Sequence, residues 1–587
     1  MNQEITEYLK SLKPEKHING IELVKEGVAL GETFEAGRSR FIRESPNYET
    51  HMDYKKECMR EGKIIWQLLM GLATLEDQVE ALKSIYEFTK RTGMELNLVQ
   101  AIPSGRVALP DEYRENSPET TSYMMDGLED YQKQTEAAPL DIIFGDYHLS
   151  TPDAIRSTIN ALKVGSPRVG VFCQFLWDYP GFDDDMKRVS DMVIALGVMA
   201  SKKDEMFAVE TYLDDGLPGY FLDCIGYVGY ALLEHYICHT LCGARYSVSF
   251  GGLLSEGDKR MGIAMAIHEL LSTPEQPALS YINSSTNLQW DHDIHGNYGI
   301  SCQEFLFEIL VEKKYRMGMG INPVSITEKL KVATLNELLD IFSAGWRTEE
   351  KSEEWVEFFD TTRLEEIRDV MVEQGKMFFE NILEGFEEAG IDINDPLELI
   401  LVMKNINPIR FEQIFHPSTY KKGGEIDPFF PTILAKQTME LRDEIIVELE
   451  RKELKGSLNG KKILVASGDA HTYGLILIES VLSAAGAIVV NGSVDMDPVD
   501  MLDLADEENI RFIGISCHNG QALDYGKQLI KLARERNKGY WFFMGGKLNA
   551  ILKGESEPVE IDHLLEEMGI HADNDIIKTI ELIKDCK

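Results

Sequence analysis

The stretch KKILVASGDAHTYGLILIESVLSAAGAIVVNG, residues 461–492, decides the fold of the carboxyl-terminal region. KKILVAS is a short apolar run stopped by Gly468, GLILIESVLSAAG has the length of a helix ending on glycine, and AIVVNGS starts a new strand. The rhythm continues through VDMLDLADEEN, RFIGISC, LDYGKQLIKLARERN and YWFFMGG. Strands alternating with helices predict a parallel sheet with helices outside it. Here they predict a small doubly wound domain whose ligand sits at the carboxyl ends of the strands. The Gly-Ser-Leu-Asn-Gly run at 456–460 is the best boundary in front of it.

The loop after KKILVAS reads Gly468-Asp469-Ala470-His471-Thr472-Tyr473-Gly474. A histidine at the tip of a first βα loop presents one ring nitrogen to a metal above the sheet. Asp469 accepts the other ring N–H, which fixes the tautomer and makes the imidazole a stronger donor. Gly474, without a side chain, leaves room for something inserted between sheet and helix. Taken alone, D-x-H-x-x-G reads equally well as an acidic helix cap followed by a surface histidine.

Two more features narrow that choice. The third strand ends in Ser516-Cys517-His518-Asn519-Gly520-Gln521 and the fourth in Gly545-Gly546. With the loop, this set resembles the cobalamin-binding domain of adenosylcobalamin mutases, a flavodoxin-like (Rossmann-type) fold. The resemblance implies that His471 replaces the cofactor's own benzimidazole as axial cobalt ligand, oriented by Asp469. It also implies that Thr472, Gly474, Ser516, Gly520, Gly545 and Gly546 line the slot for the nucleotide tail. His518 departs from the family, which usually has an aliphatic residue there. The Ser516…Gly520-Gln521 spacing looks most like the small subunit of glutamate mutase, and GDAHT is similar to lysine and ornithine aminomutase cobalamin subunits. Methionine synthase and corrinoid methyl carriers share the domain, so it does not by itself name a reaction.

Upstream, seven candidate strands lie at 95–101, 140–146, 169–175, 206–212, 245–250, 278–283 and 317–324, separated by amphipathic segments. Such alternation over this length predicts a closed (β/α)8 TIM-like barrel. The eighth strand is expected at GIELVKEGVAL (20–30) or LELILVMKN (397–405). The domains expected are a helical segment at 1–90, the barrel at 91–350, a helical extension and linker at 351–457, and the doubly wound domain at 458–587.

The segments GDYHLSTPDAIRSTINALKVG, CGARYSVSFGG and RFEQIFHPSTYKKGG resemble parts of the glutamate mutase large subunit. The chain thus looks like both subunits fused, the arrangement of the 2-methyleneglutarate mutase branch. The resemblance implies an isomerase using adenosylcobalamin, by Co–C homolysis, hydrogen abstraction, a 1,2 shift and hydrogen return. Where the family has Arg before His, this chain has Tyr147-His148, and the family's amine-binding carboxylate has no clear partner near RVGVFCQFLWDYPG. Both departures point away from glutamate toward another small carboxylic acid. Arg106, in IPSGRVALPDEY, is the best carboxylate clamp, because a guanidinium binds a carboxylate bidentately. Tyr147, His148 and Tyr179 are expected as cavity-lining donors. The rival readings are an aminomutase, which also needs pyridoxal phosphate, and a corrinoid methyl carrier.

Other constellations read as structural. His235, Cys238, His239 and Cys242 share one helical face, and one straight helix does not wrap four ligands around a metal. Asp291-His292-Asp293-Ile294-His295 reads as a polar active-site loop, and Arg38, Arg40 and Arg43 as a solvated face pairing with glutamates. A net charge of −40 argues against a nucleic-acid binder, which needs a basic surface. The eight scattered cysteines suit a reducing cytoplasm, and the start MNQEITEYLK lacks a signal-peptide pattern. The apolar stretch 217–242 is broken by Asp223, Glu234, His235 and His239, which predicts a buried helix and no membrane anchor. A homodimer or homotetramer is expected.

Overall fold

The structure is a computed structural model. It describes residues 1–14, 18–114, 122–177, 179, 182, 184–284, 290, 293–328, 333–468, 472–492, 496–517, 522–550 and 559–586, without the side chains of Leu434 and Thr472. The chain divides into two units, Met1–Phe430 and Pro431–Lys587.

The first unit is a closed parallel barrel. Its strands are β1 (Ile65–Met70), β2 (Leu98–Ala101), β3 (Asp141–Phe144), β4 (Arg168–Val169), β5 (Ala208–Tyr212), β6 (Tyr246–Phe250), β7 (Leu279–Ser284) and β8 (Gly320–Pro323). They pair in sequence order, and β1 closes on β8 through Ile65↔Gly320 and Trp66↔Ile321.

The barrel begins earlier than the expected 91. The first strand lies in the segment expected to be helical, and both eighth-strand candidates are helices, Gly20–Gly31 and Pro396–Asn405. The cause is local. The helix His51–Glu61 stops at Gly62, whose φ of 68° is the left-handed conformation that glycine adopts without strain. IIWQLLM then runs on as an apolar segment buried on both faces, which periodicity does not separate from a buried helix. The expected strand at 169–175 shortens to two residues, because Phe172–Leu176 turns into a 3-10 helix.

The stretch 217–242 forms a 3-10 turn, the helix Ile225–His235 and a π-helical turn Tyr236–Leu241. This helix and Gly257–Leu271 pack against the long helix Thr362–Glu388. No helix among the described residues is long and apolar enough to cross a membrane.

The second unit is a five-stranded parallel sheet of β9 (Lys462–Ser467), β10 (Ile488–Asn491), β11 (Phe512–Cys517), β12 (Trp541–Gly546) and β15 (Ile570–Ala572). A short antiparallel pair, β13 (Asn549–Ala550) and β14 (Val559–Glu560), lies between the last two in sequence. The order β10-β9-β11-β12-β15 is the 2-1-3-4-5 flavodoxin-like order, with its switch point between β9 and β11. The unit starts well before the glycine-rich run at 456–460. Its opening helix, Ile433–Arg451, packs on the helix Thr472–Ala484 and adds Leu449 to the core under β9. Residues 351–430, expected to form one segment with that helix, belong to the barrel unit.

Candidate functional site

In the second unit, the carboxyl edge of the sheet is built from small residues in register. Ser467 on β9 faces Ser516 on β11, and Ser516 faces Gly545 on β12. Both serines are buried at 0% and 1% exposure, so this edge offers a narrow floor at the switch point. Gly546 has a φ of 114° and its N–H donates to Asn574 Oδ1 at 2.7 Å, which turns the chain sharply away from the edge. A Cβ on Gly545 would make only ordinary contacts, 3.4 Å from Asn574 Oδ1 and from the Asp573 carbonyl. On one side Gly474, Ile476 and Leu477 of the helix Thr472–Ala484 keep partial exposure despite their apolar character. A small-residue floor beside a half-open apolar helix suits an inserted cofactor tail.

Ser516, Gly545 and Gly546 are thus brought together, with Gly474 on the adjoining helix. Asp469, His471 and Gly520 lie outside the described residues, as does the side chain of Thr472. Ser467 escaped the sequence reading, although its place at the last position of the first strand was a usable signal.

The barrel interior is unusual for this fold. Such barrels are ordinarily filled by layers of branched apolar side chains. Here hydrogen bonds run between strands that are not neighbours, which requires the side chains to point inward. Arg168 on β4 donates to Gln67 on β1 and pairs with Glu210 on β5 at 3.3 Å. Gln67 donates to Gln100 Oε1 at 3.2 Å, and Gln100 donates to Asp146 Oδ2 at 3.2 Å. Asn283 on β7 donates to the Tyr212 hydroxyl at 2.6 Å, and Asn322 on β8 donates to Asn283 at 2.7 Å.

This network rises to a mouth lined by Asp146, Tyr147, Tyr212, Asp215 and Asn283, all partly exposed. Burial raises the Asp146 carboxyl above its ordinary range, against the hydrogen bonds from Gln100 and Gln174. Asp215 is raised well above it, by burial first and then by the charges of Asp146 and Asp214. Asp214 is occupied elsewhere, accepting from the Tyr227 hydroxyl at 2.9 Å and from backbone N–H groups at Gly251 and Leu253. Burial, then Asp146 and Asp215, push the Tyr147 phenol up to about 12, so it stays a donor at neutral pH. Tyr147 also has a φ of 65°, a conformation that costs a bulky residue about 1–3 kcal/mol and clusters at functional sites.

The predicted barrel residues are placed unequally. Tyr147 lies in the mouth, its ring 5.8 Å from that of Trp177. Tyr179 packs with Ala108, Leu109 and Phe182 beside it, and its hydroxyl has no hydrogen-bond partner among the described residues. Arg106 sits at the rim in the 3-10 turn Gly105–Ala108, with Gly105 against the Tyr147 ring. Its Nη2 donates to the Arg114 carbonyl at 2.6 Å, while its buried Nε has no partner among the described residues.

His148 is not in the cavity. It is 0% exposed, packed against Tyr131 and Phe144, and burial lowers its pKa to about 4. Its Nδ1 bonds the Asp146 carbonyl, so it shapes the turn that presents Asp146. The chain has left β3 here and turns at Tyr147 with its φ of 65°, which leaves Asp146 and Tyr147 at the mouth and buries His148 behind β3.

Asp146, Gln174, Asp215, Tyr212 and the inward row Gln67, Gln100, Arg168 and Glu210 went unnoticed in the sequence. Polar residues at alternate positions of otherwise apolar strands were the signal. Asp291 and His292 lie outside the described residues, and Asp293 caps the helix Ile294–Tyr315. His235 and His239 stack at 4.7 Å, and no group of three metal-binding side chains occurs among the described residues.

Residues 462–567 match the family model of the B12 binding domain. The carboxyl-terminal unit carries a cobalamin-binding domain. A novel cobalamin-binding protein from Desulfitobacterium hafniense DCB-2, of known crystal structure, is similar at 15% identity over 25% of this chain and 69% of its own, with a TM-score of 0.20. No curated protein matches the chain.

Proposed function

We propose that the protein is an adenosylcobalamin-dependent radical mutase that rearranges the carbon skeleton of a small carboxylic acid. One observation carries this reading: a closed barrel with a polar interior and a partly exposed mouth is on the same chain as a B12-binding domain. A methyl carrier has no need of a second unit with a polar interior, whereas radical chemistry needs a small chamber that keeps bulk water out.

In this reading His471 would hold the cobalt, with Asp469 orienting its ring. Ser516, Gly545 and Gly546 would hold the nucleotide tail with Thr472, Gly474 and Gly520. When bound in its adenosyl form, the cofactor supplies a carbon radical that takes hydrogen from the substrate. The chain's own residues position and shield. The unpartnered Nε of Arg106 would meet a substrate carboxylate at the rim, and the Tyr147 phenol would donate a hydrogen bond to it. The homodimer or homotetramer belongs to the same proposal.

The test is anaerobic incubation with adenosylcobalamin and a panel of C5 carboxylic acids, read by NMR for rearranged product and by electron paramagnetic resonance for cob(II)alamin coupled to a radical. Alkylation of the bound corrinoid by methyltetrahydrofolate or a methylamine would overturn the reading in favour of a methyl carrier. A yellow chromophore reduced by borohydride would favour an aminomutase.

A further inference from the structure

The end of the barrel opposite the mouth holds a cavity of about 20 Å³. Ile65, Leu98, Arg168 and Ala208, the first residues of β1, β2, β4 and β5, line it, which fixes it at the amino-terminal end. Lys55, from the helix His51–Glu61, and Arg245, just before β6, also form its wall. A single water needs about 10–15 Å³, so the space suits one small guest.

The charges around it are unbalanced. Lys55, Arg168 and Arg245 bring three cations to the wall, and no carboxylate lines it among the described residues. Only Arg168 of the three has a carboxylate partner among those residues, Glu210 at 3.3 Å, and its own Nε has no hydrogen-bond partner there. Lys55 is 6% exposed, and its ammonium, which carries three donors, gives a hydrogen bond to the Leu279 carbonyl. Arg245 is held by neutral groups, the Lys203 carbonyl at 2.6 Å and the Gln276 side chain at 3.2 Å. The nearby acids are spent. Asp141 accepts from Ser39 and pairs with His51 at 2.7 Å. Glu312 accepts the Gly318 N–H at 2.8 Å, and burial raises its pKa to about 8, so it is largely protonated at neutral pH. A buried ammonium without a counter-charge either sheds its proton or gains an anion.

We infer that this cavity binds one small monovalent inorganic anion of the size of chloride, held by Lys55 and Arg168. The anion would take donors that Lys55 has left after Leu279, and it would supply the negative charge that the wall lacks. It would join the helix His51–Glu61 to the start of β4, at the end of such a barrel that serves stability rather than chemistry.

The test is chloride binding to the full chain without cobalamin, at pH 6 and constant ionic strength, with gluconate as the balancing anion. The protein should broaden the ³⁵Cl NMR line. Bromide should reverse the broadening, and sulfate, larger and doubly charged, should compete at least tenfold more weakly. Lys55→Met keeps the length of the side chain and loses its charge, so chloride affinity should fall at least tenfold. The wild-type protein supplies two readouts free of folding effects. Burial, then the Arg168 charge, lower the Lys55 pKa to about 7, so chloride affinity should fall at least fivefold from pH 6 to pH 8. The other groups facing Lys55 do not oppose that trend. Glu210 and Glu312, both raised by burial, can only add negative charge as pH rises. His51 and His268 are lowered by burial, Cys58 is raised to about 11, and Arg168 is a fixed cation. Chloride binding at pH 7.5 should also take up protons, seen in calorimetry as a heat that depends on the buffer. Broadening no greater than that of Lys55→Met overturns the inference. So does an affinity that is flat or rises from pH 6 to pH 8, and so does sulfate binding as tightly as chloride.

Discussion

Gln174 donates from its amide nitrogen to Asp146 Oδ1 at 2.9 Å. Its carbonyl oxygen accepts the backbone N–H of Tyr147, also at 2.9 Å. One fully buried amide therefore fixes both the carboxylate at the barrel mouth and the strained backbone beside it. Gln174→Leu keeps the volume and removes both bonds. Leaving two part-buried groups without these bonds should cost up to about 2–6 kcal/mol, from roughly 1–3 kcal/mol per orphaned group. Chemical denaturation measures that loss. Turnover should fall more than cobalamin affinity, because the bonds lie in the barrel unit.

The second prediction concerns the cobalt. Protein loaded with cob(II)alamin and ¹⁵N-imidazole-labelled histidine should show hyperfine splitting from a protein nitrogen. His471→Ala should convert it to the pattern of free benzimidazole. A splitting that ignores the label in the native protein would sink the assignment of His471.

Barrel closure and the doubly wound unit were legible because βα alternation is a long-range pattern that survives errors at single elements. The first strand was not. IIWQLLM is buried on both faces, and only the left-handed Gly62 separates it from the helix before it. That Ser516, Gly545 and Gly546 lie at strand ends was legible because register fixes where the apolar runs stop. At the barrel mouth Asp146 was hidden beside Tyr147 and His148. Which of three consecutive polar residues faces inward depends on the turn, and the turn depends on Gln174, nearly thirty residues away in sequence.

A third prediction follows from Glu234. It is fully buried, accepts from the Tyr246 hydroxyl at 2.7 Å, and burial raises its pKa to about 8. A carboxyl that holds its proton more tightly when folded stabilises the fold fully below its unfolded pKa of about 4.3. That contribution is lost as pH rises toward 8. Stability should therefore fall from pH 5 to pH 8 by up to about 1.4 kcal/mol per pH unit from this group. Glu234→Gln, neutral throughout, should flatten that slope and be the more stable form at pH 8. Thermal melts of both proteins across the range check it; identical slopes would show that Glu234 is already ionised in the fold.

Arg106 is the fourth. Its Nη2 is spent on the Arg114 carbonyl, while its Nε has no partner among the described residues and is left for a ligand. Arg106→Lys keeps the charge and loses the fork, so substrate affinity should fall by about 1.5–3 kcal/mol, the worth of a hydrogen bond to a charged group. Unaltered KM and kcat in that variant would make Arg106 a loop-fixing residue.

The last prediction concerns the segment that leads to the second unit. Asp223, fully buried, accepts from His416 Nε2 at 3.0 Å, from the Phe430 N–H at 3.0 Å and from the Phe429 N–H. The neighbouring Glu412 accepts the N–H groups of Leu222 and Asp223 at 2.8 and 2.9 Å, and burial raises its pKa to about 8. A buried acid able to accept from two successive backbone donors and a histidine pins residues 416–430 to the barrel unit immediately before Pro431. Asp223→Ala would strand all three donors, each orphaned buried donor costing about 1–3 kcal/mol. Limited proteolysis should then cut first between residues 416 and 430, releasing a fragment that retains the cobalamin-binding domain. Asp223→Asn keeps an acceptor oxygen for one N–H and should give slower cleavage at the same place. Cleavage elsewhere in both variants would mean that this anchor does not govern the opening of the segment.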